Sequence, residues 1–291
     1  MLRLRRDARA QGERFKFRRT GVTWENRSGD SYLFPPDRPH DIWGIFHDSR
    51  YWMSRIITSH LSSGQIIDLR KPTLYRMSSG RHIWLPELIE EPDTCTGYLA
   101  KGKPNLGDTA LDVGAYCGET TVELALLVGP SGHVFSLEPD PKNRVLLQRN
   151  LDLHNLTNVT ILPHALWSHT TDLTFTAAGD AASSVHSIRE VKAKSAGTIT
   201  VSALSPRDLF TRIGRIPDFI KMDIEGAEVE VVSALAPILA ESLHSVRLAI
   251  ASYHIRDGHP AHELITPPLL VNGYQVETGY PEHTTTWAWK A

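Results

Sequence analysis

The chain has 291 residues and a formal net charge of −2, and 41% of its residues are hydrophobic. This length allows one large α/β domain, or one domain with an N-terminal extension, around a sizeable core. The balanced charge disfavours a nucleic-acid-binding protein, which neutralises phosphates with excess Lys and Arg. Cys95 and Cys117 are too few for a disulfide framework or a four-cysteine zinc site, so we expect a reducing, cytoplasmic location. No apolar run reaches the roughly 18 residues of a membrane span.

The N-terminal segment is rich in arginine and lacks the apolar stretch of a secretory signal. We interpret it as a solvated and partly disordered terminus. An organelle transit peptide and an arm that contacts phosphates are the alternatives.

Residues 1–100 predict an α+β extension. A hairpin is expected within 15–35, two helices at 42–46 (capped by Asp41) and 52–61, and a second hairpin from strands at 73–77 and 81–85. None of this resembles the pattern that follows, so a domain boundary is predicted near residue 100.

From residue 108 strands alternate with helices, which predicts a mainly parallel sheet with helices on both faces. A β-extension at 171–176 and a polar loop at 177–187 interrupt the alternation, followed by a strand near 197–201. The main strands are predicted at 109–113, 133–137, 159–163, 218–222, 246–251, 274–278 and 284–289, and the helices at 119–128, 141–153, 206–213 and from 227 onward.

The sequence LDVGAYCG at 111–118 predicts a strand that enters a tight turn before a helix. Gly114 and Gly118 lack side chains, so a ligand can approach the backbone and the turn can take positive φ. Their spacing differs from the G-x-G-x-x-G of dinucleotide-binding proteins. Asp112 would repel a pyrophosphate and attract the ammonium of an aminoacyl tail. The pattern therefore favours S-adenosyl-L-methionine (SAM) over NAD.

Glu138 ends the next predicted strand, at 133–137. In a doubly wound sheet a carboxylate there can accept both hydrogen bonds of a ribose diol. An NAD-linked Rossmann oxidoreductase and a non-catalytic interaction module remain the alternative functions.

Three segments resemble the FkbM family of class I SAM-dependent methyltransferases: LDVGAYCGETT (111–121), FSLEPDPKNRVLLQRNL (135–151) and DFIKMDIEGAEVEVV (218–232). The resemblance covers roughly residues 73–291. It implies a Rossmann-like fold with a seven-stranded, mainly parallel sheet, and a methyltransferase domain at 101–291. It also implies SAM as methyl donor and O-methylation of a hydroxyl on a small molecule or glycan, in a natural-product or polysaccharide pathway.

The resemblance also implies roles for individual residues around the cofactor. The first SAM motif corresponds to Asp112, Gly114, Ala115, Tyr116 and Gly118. Glu138 corresponds to the acid that binds the ribose, and Pro139 shapes the adenine edge. Thr120 and Thr121 offer hydroxyls to the SAM carboxylate, and Ala165 and Leu166, after the third strand, contact the adenine.

Asp223 and Glu225 follow the strand at 218–222, where open α/β sheets bind ligands. Two acids so close together usually meet a cation, a hydrogen-bonded ligand or a metal, and a structural pairing with Lys221 is the alternative. We predict that Asp223 holds SAM or orients the acceptor, and that Glu228 reaches the same cleft. No second acid-rich cluster completes an oxygen coordination sphere, so no metal is expected.

His254 follows the strand at 246–251, where a histidine can take the proton of an acceptor hydroxyl near neutral pH. His283 is a second candidate at the acceptor. The N-terminal hundred residues, with Glu90 and Tyr98 nearest the core, and the loop 177–187 are the predicted lid and acceptor pocket. Expected partners are the acceptor and a second copy of the chain in a homodimer, without nucleic acid.

Overall fold

The computed structural model describes residues 2–34, 42, 46, 66–77, 79–86, 95–176, 198–242, 244–256, 258–280 and 283–290. The chain divides into two compact units, Met1–Pro92 and Asp93–Ala291. The boundary predicted near residue 100 comes after this division, so Tyr98 belongs to the second unit and not to the extension. The predicted helix at 52–61, the cap at Asp41, Glu90 and the loop 177–187 lie outside the described residues.

In its described residues, the first unit combines helical residues with short strands. Strands β1, β2 and β3 pair antiparallel in that order, and β4 adds parallel to β3, while β5 and β6 form the predicted second hairpin. The described elements are α1 Leu2–Ala10, β1 Arg14–Arg18, β2 Gly21–Glu25, β3 Ser31–Phe34, β4 Ile66–Asp68, β5 Thr73–Arg76 and β6 His82–Leu85.

Helix α1 corrects the expectation of a partly disordered terminus. Leu4 and Ala8 are buried one helical turn apart, whereas Arg3, Arg5 and Arg9 are exposed. Residues four apart lie on the same face of a helix, so these two apolar side chains form the face by which α1 packs within the first unit.

The second unit alternates strands and helices, as the sequence predicts. Its elements are α2 Cys95–Tyr98, β7 Thr109–Val113, α3 Glu119–Val128, β8 His133–Leu137, α4 Pro141–Leu153, β9 Val159–Leu162, β10 Ala165–Leu166, β11 Thr171–Thr176, β12 Thr198–Leu204, α5 Pro206–Ile213, β13 Phe219–Met222, α6 Glu228–Ala240, β14 Arg247–Ala251, β15 Ile255–Arg256, β16 His259–Pro260, α7 Ala261–Val271, β17 Gln275–Gly279 and β18 Thr285–Trp289.

The central sheet has seven strands in the order β17-β18-β14-β13-β7-β8-β9. Strands β14, β13, β7, β8 and β9 pair parallel, and β18 is antiparallel to both of its neighbours. The fold is therefore α/β with a seven-stranded, mainly parallel sheet, as predicted. The order reverses at β7, which lies between β8 and β13, and ligands of such sheets bind outside the carboxyl ends at this switch point.

Both faces of this sheet are covered by helices. Alternate residues of one strand point to opposite faces. On β13, Phe219 packs in a cluster with Leu124 of α3, and Ile220 packs in another with Leu235 of α6 and Ile265 of α7. None of the described helices is long and apolar enough to cross a membrane.

A glycine fixes how closely β7 and β13 approach at their carboxyl ends. Gly114 has φ +76, and an added Cβ would overlap the carbonyl oxygen of Asp223. Gly214 has φ +75, with nothing within 4 Å of an added Cβ.

Gly114→Ala should lower the free energy of unfolding by roughly 2–4 kcal/mol, because backbone overlap adds to the cost of positive φ. The matched variant Gly214→Ala carries the backbone cost alone, about 1 kcal/mol. Urea denaturation of both variants measures the difference, and equal losses would contradict a steric role for Gly114.

Candidate functional site

The turn between β7 and α3 is built from three residues with positive φ. Gly114, Tyr116 and Gly118 have φ values of 76°, 51° and 91°. The predicted positive φ is confirmed, but the space left by the missing side chains is filled by protein. A Cβ at Gly114 would meet Asp223, and one at Gly118 would overlap Leu147. The glycines thus permit close packing around the turn, and the non-glycine Tyr116 holds a strained conformation of the kind found at binding sites.

A buried lysine ties this turn to β13. The Nζ atom of Lys221 donates to the Gly114 carbonyl at 2.7 Å and lies 3.1 Å from Oδ1 of Asp112. Burial disfavours its charge, but the carboxylates of Asp112 and Asp223 outweigh that effect and raise the pKa of Lys221. The ammonium also stands 5.3 Å from the ring centroid of Tyr98.

Asp112 lies in strand β7, within the strand predicted at 109–113, but its contacts differ from the sequence prediction. Its side chain is fully buried. Its ammonium partner in the described structure is Lys221, and Oδ2 accepts a 2.6 Å hydrogen bond from Oγ1 of Thr121. Asp112 supports the turn from within the protein, and a direct contact with an aminoacyl ammonium is not what this geometry offers.

The hydroxyls at the start of α3 are also turned inward. Thr121 is fully buried, and its Oγ1 lies 3.0 Å from the Ser136 hydroxyl in addition to its bond to Asp112. Thr120 is buried as well. This corrects the expectation that Thr121 offers its hydroxyl to a bound carboxylate.

Glu138 lies at the carboxyl end of β8, next to the turn. Its Oε2 accepts a 2.7 Å hydrogen bond from the Tyr116 amide, and its Oε1 accepts one of 2.8 Å from the Asp140 amide. Burial raises the pKa of Glu138 to about 7, and these two amide donors oppose the shift. Glu138 thus links two strand ends and changes charge near neutral pH.

The remaining predicted cofactor contacts lie around these groups. The amides of Gly114 and Ala115 both donate to the Leu137 carbonyl at 3.0 Å, which fixes the turn on β8. Pro139 is half-buried, and its carbonyl accepts a 2.7 Å bond from Arg144.

The side chains predicted to contact adenine are part of the core. Leu166 packs in the same cluster as Leu111, and Ala165 packs with Leu173. Both are buried, so the predicted apolar contact of these side chains with adenine is not supported, and a contact through their backbone stays a prediction.

Asp223 sits at the end of β13, directly beside the turn. Its Oδ2 accepts a 2.7 Å hydrogen bond from the Tyr98 hydroxyl, which is also 3.2 Å from Nε2 of His283. Burial works against ionisation, but His283, the Lys221 charge and Tyr98 outweigh it and hold the pKa of Asp223 well below its usual range. Tyr98 is itself fully buried, so it positions Asp223 instead of lining an acceptor pocket as predicted.

His254 lies between two carboxylates. Its Nε2 is 3.6 Å from Oε2 of Glu225, and its Nδ1 is 3.3 Å from Oε1 of Glu228. Burial lowers its basicity, but Glu225 and Glu228 dominate and raise the pKa of His254 to about 10. The two carboxylates therefore favour the protonated ring. This counts against the prediction that His254 takes a proton from an acceptor near pH 7.

Glu228 reaches this cluster but cannot face an acceptor, because its side chain is fully buried. Its Oε1 also accepts a 2.8 Å hydrogen bond from the Ile224 amide. Glu225, with φ 56°, is the partly exposed member, and its side chain keeps 30% of its accessible surface. Glu228 thus orients His254, and Glu225 is open to a ligand.

The structure adds Tyr253, which the sequence analysis did not single out. Its ring contacts His254 and His283, with centroid separations of 4.1 and 4.6 Å. The residue is 40% exposed. Its position directly before His254 was visible in the sequence, but its exposure was not. Asp223, Glu225 and His254 also bring three possible metal-ligating atoms together, whereas the sequence suggested no completed metal site.

Comparisons of sequence and of structure both find that this chain is similar to methyltransferases. The sequence model described as "Methyltransferase FkbM domain" matches residues 112–276. Hexuronic acid methyltransferase AglP of Haloferax volcanii is 27% identical over 183 residues, which are 62% of this chain and 70% of that protein. A probable cobalt-precorrin-6B C(15)-methyltransferase (decarboxylating) of Sulfolobus acidocaldarius is 38% identical over 64 residues, 22% of this chain.

The match to the Sulfolobus acidocaldarius protein spans only 33% of that relative's length. Among solved structures, methyltransferase FkbM from Methylobacillus flagellatus KT is similar with a TM-score of 0.49 and 22% identity. That similarity covers 67% of this chain and 47% of the other.

Lys221→Met should destabilise the protein by about 3–5 kcal/mol, because it leaves the buried Asp112 carboxylate without its cation. The matched control is Lys101→Met, which removes an exposed ion pair with Glu277 and should cost about 0–1 kcal/mol. Chemical denaturation at pH 7 measures both values. A Lys221→Met variant as stable as the control would show that the buried pair does not hold these strand ends.

Proposed function

Because the chain belongs to the FkbM methyltransferase family, we propose that it transfers the methyl group of SAM to a hydroxyl oxygen of a small molecule or glycan. The protein is a SAM-dependent methyltransferase with the class I fold, and SAM is its cofactor. Membership of this family rules against the alternative of an NAD-linked oxidoreductase. We infer the acceptor, the O-methylation and the residue roles from the geometry of the site.

The proposed cofactor site is supported by the position of Glu138, which hydrogen-bonds to the turn after β7 from the end of β8. The Gly114–Gly118 turn presents its backbone beside a carboxylate that already accepts the Tyr116 amide. Oε1 of Glu138 already accepts from the Asp140 amide and the Asn143 side chain. Among the described residues, Oε2 accepts from the Tyr116 amide alone, and it can take a ribose hydroxyl as well. The amino end of α3, directly after the turn, favours the carboxylate of the aminoacyl tail.

The acceptor side is proposed to be the partly exposed group of Asp223, Glu225, Tyr253, His254 and His283. An exposed aromatic ring between two histidines suits a sugar, because the C–H face of a sugar packs on an aromatic ring while its hydroxyls meet polar groups. The relative that acts on a hexuronic acid supports the same class of acceptor. A uronic-acid oligosaccharide is therefore the first acceptor to test.

The proposed chemistry is in-line displacement, for which SAM supplies an electrophilic methyl group. The chain mainly provides alignment, which can be worth roughly 7–11 kcal/mol. Charged His254 donates a hydrogen bond to the acceptor, while ionised Asp223 accepts one and orients the hydroxyl. Glu225, the exposed carboxylate, takes the proton as the new bond forms, since a weak base acts during bond formation and not before it.

The affinity for S-adenosyl-L-homocysteine (SAH) should depend on pH through Glu138. The ribose donates to the ionised carboxylate, and the pKa of this group in the free protein is about 7. Binding should therefore be tight above pH 7 and weaken by up to about tenfold per pH unit below it. Calorimetry from pH 5.5 to 8.5 measures this slope. Glu138→Gln should bind more weakly and show no such slope, and a slope shared by wild type and variant would remove Glu138 from the ribose site.

Methyl-labelled SAM and a uronic-acid oligosaccharide test the reaction itself. The label should appear in a methyl ether that survives mild alkali, whereas a carboxylate ester would release it. Glu225→Gln should lower turnover by about 10²–10⁴-fold with SAH affinity retained. Glu263→Gln, an exposed acid beside His259, is the control and should leave turnover unchanged. Labelled ester would contradict O-methylation of a hydroxyl, and SAH binding without transfer to any hydroxyl acceptor would favour the non-catalytic module.

A further inference from the structure

The group of Asp223, Glu225 and His254 has the spacing of a metal site. One ligating atom from each of the three lies within 4.8 Å of the others. Atoms that share one divalent ion are separated by roughly 3–4.5 Å, given ligand distances near 2.1–2.3 Å. A small contraction of this group would therefore close it around a single ion.

Three buried atoms of this group make no hydrogen bond in the described part of the chain: Oδ1 of Asp223 and both ring nitrogens of His254. Nε2 of His254 lies 3.6 Å from Oε2 of Glu225, a member of the same group. The other oxygen of Asp223 is held by the Tyr98 hydroxyl, which fixes the orientation of the carboxylate. Buried polar atoms are rarely left in this state, so an unpartnered oxygen and nitrogen directed at one group of side chains point to a bound ion.

The second ring nitrogen of His254, Nδ1, faces a carboxylate, as in many metal sites. Oε1 of the fully buried Glu228 lies 3.3 Å from Nδ1 and is anchored by the Ile224 amide. Metal-binding histidines usually turn their second ring nitrogen to a carboxylate, which fixes the ring and strengthens the ligand. Glu228 stands in that position, and the opposite nitrogen, Nε2, faces Glu225.

The charges favour a cation as well. Asp223, Glu225 and Glu228 place three carboxylates around one imidazole, and the nearby ammonium of Lys221 is paired with Asp112. A divalent ion would offset the mutual repulsion of these carboxylates.

We propose that Asp223, Glu225 and His254 bind a divalent cation of the Mn²⁺ class, with Glu228 as the carboxylate that orients His254. Two carboxylates and one imidazole suit such an ion, which accepts both oxygen and nitrogen ligands. Three protein ligands leave coordination positions for water or for an acceptor oxygen. With the ion bound, Nε2 of His254 is a ligand and cannot donate to the acceptor, so the ion takes over the polarisation of the acceptor oxygen. That role rests on the proposed function, whereas the binding of the ion does not.

Electron paramagnetic resonance of Mn²⁺ tests the site on the full chain after treatment with EDTA. The signal of free Mn²⁺ should disappear up to one equivalent of ion per chain. Glu225→Gln should weaken binding at least about tenfold, and Glu228→Gln by about 10–100-fold through the lost orientation of His254. Glu263→Gln, which alters a solvent-exposed His–Glu pair, should bind as the wild type does.

Calorimetry with SAH on the same samples separates the two proposals. Wild type and all three variants should bind SAH, which shows that each is folded. Loss of Mn²⁺ binding in Glu225→Gln with SAH binding retained would support the metal site. Absence of Mn²⁺ binding in wild type, or equal binding in Glu225→Gln and Glu263→Gln, would overturn it while the methyltransferase proposal stands. Mn²⁺ binding without SAH binding would support the metal site and count against the proposed function.

Discussion

The buried ammonium of Lys221 is the interaction on which the carboxyl end of the sheet depends. It pairs with Asp112 on β7, and it donates to the carbonyl of Gly114 at the start of the turn. Two adjacent parallel strands are thereby joined by charge as well as by their ladder. Because the desolvation of both charges offsets much of their attraction, we expect this pair to fix the conformation of the turn more than it adds net stability.

The arrangement of the acidic residues follows from that pairing. With Asp112 paired inside the sheet, the negative charge at the proposed acceptor side belongs to Asp223 and Glu225. Tyr98 fixes the first of these, and Glu228 holds His254 near the second. The strand ends thus separate into the proposed cofactor side around Glu138 and the proposed acceptor side around His254. Each side has groups whose protonation is set by burial and neighbouring charge.

Local signals account for the elements that the sequence predicted well. Helix α4 begins at Pro141 after Asp140, whose side chain accepts the Lys142 amide as an N-cap, and Gly114 and Gly118 mark the turn. Helix α7 was not predicted, because its Pro267 and Pro268 are strong helix-breaking signals that packing overrides here. In the site, the positions of Asp223 and Glu225 could be predicted from the strand pattern. The pairing of Asp112 with Lys221 and the charge on His254 could not, since both arise between residues brought together only by the fold.

A crystal structure of the protein with SAH tests the central claim, that the turn fixed by Lys221 and the carboxylate of Glu138 together form the cofactor site. We predict that the ribose hydroxyls lie within hydrogen-bond distance of Glu138 and that the aminoacyl tail follows the Gly114–Gly118 backbone, with Lys221 still paired to Asp112. A bound SAH whose ribose lies away from Glu138, or whose tail displaces Lys221 from Asp112, would contradict the account.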